Sequence, residues 1–149
     1  MTPRSRLARE SAALLILPAF LLCLSTLSAS PQAPHPPARI IEVLADHDSR
    51  YRMAGQKQPE IIVKAGEELT LRITAKKSKN VNREGSIHGF TLLRAKDRKP
   101  VDGWDFQLKP GLQEFSVVAP QEVGEYLVIC TVICSEDHEG MTMRFVVTP

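Results

Sequence analysis

The stretch Cys130-Thr-Val-Ile-Cys134-Ser-Glu-Asp-His138-Glu-Gly-Met141 gathers two thiols, one imidazole and one thioether into twelve consecutive residues. All four are soft or borderline donors, the set that suits copper rather than calcium or magnesium. The stretch ends just before the last apolar run, Met143-Arg-Phe-Val-Val147. A fifth candidate donor, His88, lies far upstream in Ser86-Ile-His88-Gly-Phe90. Taken singly, Met141 or Cys130 would be expected in a core and His138 on a solvated surface. Their conjunction in one loop points to a metal.

Working outward, the chain between Ile40 and Val147 reads as short strands. Ile40–Leu44, Glu60–Lys64, Phe90–Leu93, Glu114–Val118 and Glu125–Ile129 are apolar runs, and Ala65-Gly66, Pro120 and Gly124 mark turns between them. Leu69, Leu71 and Ile73 alternate with Thr70, Arg72 and Thr74, as in a half-buried strand. Met143, Phe145 and Val147 alternate in the same way. No segment carries a sustained helical stripe. The expectation is an all-β Greek-key sandwich. Residues 76–85, Lys-Lys-Ser-Lys-Asn-Val-Asn-Arg-Glu-Gly, form a polar loop ahead of His88.

The first 30 residues read as an export segment. Arg4, Arg6 and Arg9 make a basic start, residues 11–27 are apolar apart from Pro18, and Ser28-Ala29-Ser30 offers a cleavage site. The apolar part is slightly short of the ~20 residues that span a bilayer. A cleaved signal peptide is therefore favoured over a retained anchor, which would associate with a membrane through residues 11–29. Leu22 before Cys23 argues against a lipid-modified cysteine. Residues 31–38 are a Pro-rich linker, with Pro31, Pro34, Pro36 and Pro37. The domain is expected over 39–149, outside the cytoplasm: periplasmic, or on the outer face of the cytoplasmic membrane.

Setting Arg4, Arg6, Arg9 and Glu10 aside from the 19 basic and 17 acidic residues leaves 16 of each sign. A near-neutral domain does not fit a nucleic-acid binder. Its two cysteines, Cys130 and Cys134, would close only a very small disulfide loop, which stabilises little through chain entropy. A metal accounts for them better. Thiolates bridge metals readily, so two cysteines would let two copper ions share both sulfurs, with His88 and His138 capping one each and Met141 as a weak axial donor. Zinc is the competing metal, but this spacing departs from zinc-finger patterns and a thioether offers zinc nothing. No general acid–base pair or nucleophile is evident.

The loop resembles that of the copper A domain of cytochrome c oxidase subunit II, a member of the cupredoxins, in its Cys-x-x-x-Cys-x-x-x-His-x-x-Met pattern. Cys130, Cys134, His138 and Met141 match it without a gap, and His88-Gly89-Phe90 is similar to the context of that family's remote histidine. Pro59–Gly66, Leu69–Thr74 and the approach through Gly124-Glu-Tyr126 also resemble it, so the likeness runs over residues 40–149. The resemblance implies a dinuclear copper centre with bridging Cys130 and Cys134, terminal His88 and His138, axial Met141, and the backbone carbonyl of Val132 as the remaining ligand. It implies electron transfer from a c-type cytochrome or other redox protein to an oxidase subunit, the domain having no catalytic site of its own. Val132 stands where the family often has Glu, and Ser135 where it often has Gly. The segment between Leu93 and Glu114 is also long. Two rivals follow from the same residues: a mononuclear cupredoxin using His88, one cysteine, His138 and Met141, and a copper-delivery protein for oxidase assembly. Glu136, Asp137, Glu139, Asp102 and Asp105 would form an acidic rim for a basic partner, with Trp104 as a packing residue.

Overall fold

The computed structural model describes residues 38–149. The export segment and most of the linker read from the sequence lie outside the described residues. Nine strands follow one another: β1 (Arg39–Ala45), β2 (Tyr51–Arg52), β3 (Glu60–Lys64), β4 (Glu68–Ala75), β5 (His88–Arg94), β6 (Pro100–Leu108), β7 (Gly111–Val118), β8 (Gly124–Ile129) and β9 (Thr142–Thr148). The only helical turn among the described residues is a 3-10 turn at His138–Gly140. No helix there is long and apolar enough to cross a membrane.

The strands form two sheets, ordered β2-β1-β4-β7 and β3-β9-β8-β5-β6. Each sheet is mixed: β1 runs parallel to β4 and β3 parallel to β9, while the other neighbours are antiparallel. Alternation sets the inner faces. Leu69, Leu71, Ile73 and Ala75 of β4 are buried, as are Ile61 and Val63 of β3 and Met143, Phe145 and Val147 of β9. These side chains meet Phe90, Leu92, Leu108, Trp104 and Tyr126 in one core. Full burial of a Leu, Ile or Phe side chain contributes about 1.5–3 kcal/mol, so this double layer is a stiff frame.

Two strands were not visible in the sequence. β2 is two residues long. β6 opens on Pro100 and contains Asp102, Gly103 and Asp105, residues depleted in strands. It lies at a sheet edge, where a leading proline is tolerated, and its pairing with β5 shifts register between Thr91 and Leu93. Gly103 there has φ +76°, a conformation that favours glycine. Trp104 is a core residue, edge-on to Phe145 at 5.2 Å, and its indole N–H donates to the Val118 carbonyl at 3.1 Å.

The frame matters chiefly through β5, which is buried from His88 to Leu93. Phe90 faces the core against Tyr51, with ring centroids 5.6 Å apart. The opposite face is covered by the chain just beyond β8. Thr131 lies so close to Gly89 that a Cβ there would stand 2.5 Å from the threonine Oγ1 and 2.7 Å from its backbone nitrogen.

Candidate metal centre

β5 begins at His88 and β8 ends one residue before Cys130, so the two strands deliver an imidazole and a thiol to the same end of the sandwich. The loop then turns back sharply: Cys134 N–H donates to the Val132 carbonyl at 2.7 Å. That turn brings the Cys134 sulfur to 3.7 Å from the Cys130 sulfur. Donor atoms of His88, Cys130 and Cys134 all lie within 4.8 Å of one another, and all three residues are buried. Both cysteines are free thiols.

His88 has a defined tautomer. Its Nε2 lies 3.1 Å from the Lys76 carbonyl, which can only accept, so Nε2 carries the proton. Burial holds the imidazole below its ordinary 6.5 despite the Lys76 bond and the Asp46 charge, so the ring is neutral and Nδ1 keeps its lone pair. Nδ1 is buried and has no hydrogen-bond partner. A buried imidazole nitrogen is normally satisfied. Beside two thiols, a metal is the partner that would satisfy it, and the Lys76 carbonyl is the kind of outer contact that orients a ligating histidine.

The thiols are likewise held by named groups. Gly89 N–H donates to Cys130 Sγ at 3.2 Å, and Cys130 Sγ lies 3.2 Å from the Val132 carbonyl. Burial pushes the Cys130 thiol up to about 11 from 9.0, the Gly89 bond opposing and the neighbouring Cys134 adding to it. In the metal-free protein the thiol is therefore protonated at neutral pH, and a metal must displace that proton. Metal–sulfur bonds of about 2.3 Å can join one ion, or a pair of ions, to both sulfurs at this separation. The donor set thus fits copper.

Met141 is fully buried, and its carbonyl accepts from Cys130 N–H at 3.2 Å, which closes the base of the loop. His138 does not join the three-residue group. It sits half-buried in the 3-10 turn, and its Nδ1–H donates to the Ser135 carbonyl at 3.0 Å. Of the rest of the predicted set, His88, Cys130, Cys134 and the Val132 carbonyl are brought together. The polar loop at 76–85 is tied to the site: Asn80 N–H donates to the Cys134 carbonyl at 3.0 Å, and Ser78 Oγ donates to the Ile87 carbonyl at 3.1 Å.

The β1–β2 turn also belongs to the site, which sequence reasoning missed. Ser49 Oγ lies 3.6 Å from Cys134 Sγ, and the Tyr51 hydroxyl donates to the Gly89 carbonyl. Asp46 anchors this turn. Its carboxylate is nearly buried and receives His47 N–H and Arg52 Nε, both at 2.9 Å, with Lys76 Nζ at 3.4 Å. The one available signal was the charged run Asp46-His-Asp-Ser-Arg50 between two apolar segments.

No protein-family model matches the chain, and no curated protein matches it. Solved structures do. Auracyanin A, a "blue" copper protein from the green thermophilic photosynthetic bacterium Chloroflexus aurantiacus, is 20% identical, with a TM-score of 0.51 over 73% of this chain and 98% of its own. Auracyanin B is 20% identical, with a TM-score of 0.52 over 78% of this chain and 94% of its own. The dithionite-reduced auracyanin of the photosynthetic bacterium Roseiflexus castenholzii is 18% identical, with a TM-score of 0.50 over 75% and 98%. At these identities the likeness is one of fold. From its two mixed sheets and these neighbours, the described part of the chain has a cupredoxin-like β-sandwich fold.

Proposed function

We propose that this protein is an electron-transfer protein holding copper through His88, Cys130, Cys134, His138 and Met141, with the Val132 carbonyl as a further ligand, and that the centre is dinuclear. One observation carries the proposal: a ring nitrogen of His88, a residue whose buried Nδ1 has no hydrogen-bond partner, lies within 4.8 Å of two buried free thiols. A single-copper site needs one thiolate; a second thiolate 3.7 Å away is what a shared pair of ions would use. Copper supplies one-electron chemistry when bound.

The chain's own residues do the rest. Strands β5 and β8 fix the His88 and Cys130 positions, and the Val132 turn fixes Cys134, so ligand geometry changes little with redox state. Burial of His88, Cys134 and Met141 excludes water from the donors. Gly89 N–H and the Lys76 carbonyl orient the sulfur and the imidazole. The Nδ1–H bond to the Ser135 carbonyl leaves His138 Nε2 with its lone pair, as the Lys76 bond leaves that of His88 Nδ1.

The donor we propose is a c-type cytochrome or similar redox protein, and the acceptor an oxidase subunit, with the domain exported as read from its first 30 residues. Glu136, Asp137 and Glu139 are exposed around His138 and would steer a basic partner. Reversing Glu136 and Asp137 to Lys should slow electron uptake from a basic cytochrome and weaken its salt dependence. Unchanged rates would remove the acidic rim from the account.

The second reading, a mononuclear cupredoxin using His88, one cysteine, His138 and Met141, is favoured by the fold shared with auracyanin A, a "blue" copper protein. Copper bound per chain separates the two in wild type and in Cys134→Ser. Two equivalents falling to one supports the dinuclear centre; one equivalent in both supports the mononuclear site.

A further inference from the structure

The thiol of Cys134 has a neighbour that no ligand pattern would suggest. Ser49, 85 positions upstream in sequence, places its hydroxyl 3.6 Å from Cys134 Sγ and 2.7 Å from Ser135 Oγ. All three residues are buried. Resting on the copper reading above, we propose that Ser49 is a positioning residue of the centre: its hydroxyl donates to the Cys134 sulfur and raises the reduction potential of the bound copper.

Counting protons fixes the direction of the chain. Asp137 N–H can only donate, and it donates to Ser135 Oγ at 3.1 Å. Ser135 and Ser49 have one proton each and cannot both donate to each other. A metal-bound cysteine sulfur has no proton and can only accept. The arrangement that satisfies every group runs from Asp137 N–H to Ser135 Oγ, from Ser135 to Ser49, and from Ser49 to Cys134 Sγ. Buried hydroxyls without partners are costly, which favours this fully paired order. A hydrogen bond to a ligating sulfur draws charge off it and favours the reduced metal, one of the levers that set potentials in copper–thiolate sites.

The backbone shows that the placement is imposed. Ser49 has φ +59°, a left-handed conformation that a non-glycine residue rarely adopts. Ser49 N–H donates to the Asp46 carbonyl at 3.1 Å, and Asp46 N–H to the Arg50 carbonyl at 2.9 Å. The Asp46 carboxylate, held by His47, Arg52 and Lys76, locks that turn. Glycine would adopt this φ without strain. A serine kept there, with its hydroxyl on a thiol, is strain held at a site. The two sulfurs are thereby distinguished: Cys130 receives a backbone N–H from Gly89, and Cys134 a hydroxyl from Ser49.

The test uses Ser49→Gly, which removes the hydroxyl and relaxes the backbone, in the full-length protein loaded with copper. The expected result is a lower reduction potential, by up to about a tenfold change in the ratio of reduced to oxidised protein, or about 59 mV for one electron, with thermal stability of the metal-free protein equal or higher. Ser135→Ala, which leaves Ser49 with Cys134 as its only acceptor, should shift the potential less. Ser49→Ala repeats the loss of the hydroxyl should the glycine variant fail to accumulate. Equal potentials in loaded wild type and Ser49 variants would overturn this inference and leave the copper reading standing. A wild-type protein that takes up no copper would overturn both.

Discussion

Gly89→Ala is the substitution whose consequence can be worked most directly from the geometry. Gly89 does not occupy a left-handed conformation, so alanine is not excluded by its backbone. The obstacle is space. The new Cβ would lie 2.5 Å from Thr131 Oγ1, 2.7 Å from Thr131 N and 3.4 Å from Thr131 Cα. A side-chain oxygen can swing away, but a backbone nitrogen moves only with its chain. That chain is the start of the ligand loop, between Cys130 and Val132. Overpacking of this kind costs about 1–3 kcal/mol. In a domain of roughly 100 residues each kcal/mol lowers the melting temperature by about 4–8 °C. Gly89→Ala should therefore melt at least about 4 °C below wild type in the metal-free protein. Differential scanning calorimetry reads this. Thr131→Ala removes Oγ1 and leaves the nitrogen, so Gly89→Ala/Thr131→Ala should recover only part of the loss. A single variant that melts with wild type, or a double variant restored in full, would refute the close approach of the two segments.

Two further predictions concern pH in the metal-free protein. Burial would raise the Asp46 carboxyl, but bonds from His47 and the charge of Lys76 outweigh it and hold it well below its ordinary 3.8. A depressed carboxyl stabilises the fold above its unfolded value and loses that contribution as the pH falls through the folded one. Asp46→Asn should thus be less stable near neutrality, with the gap closing on acidification below about pH 4; stability curves that stay parallel in acid would count against the Asp46 anchor. At the alkaline end, the raised Cys130 thiol stabilises the fold below 9.0 and loses that contribution as the pH climbs through about 11. Burial raises the Tyr51 phenol in the same sense. Cys130→Ala should flatten the alkaline loss in part, leaving the tyrosine's share; an unaltered alkaline limb would show the thiol to be solvated.

The pairing of Cys130 with Cys134 was legible because it is local: two thiols four positions apart in one tight loop need no knowledge of the fold. His88 was legible through its Gly89-Phe90 context, and β3 and β4 through apolar runs and strict alternation. β6 was not, because Asp102, Gly103 and Asp105 carry no strand signal and an edge strand needs little. Ser49 and Tyr51 were hidden for a different reason. Their contacts with Cys134 and Gly89 span 85 and 38 positions and depend on how β1, β2 and β5 come together. The His138 ring direction also lay beyond pattern, since it rests on one hydrogen bond to the Ser135 carbonyl.

The electron paramagnetic resonance spectrum of the copper-loaded protein, with copper per chain measured on the same sample, decides whether the centre is dinuclear. A dinuclear centre gives two coppers per chain and a spectrum of one unpaired electron shared equally between them. One copper per chain with a single-ion spectrum would contradict it, leaving one cysteine outside the centre.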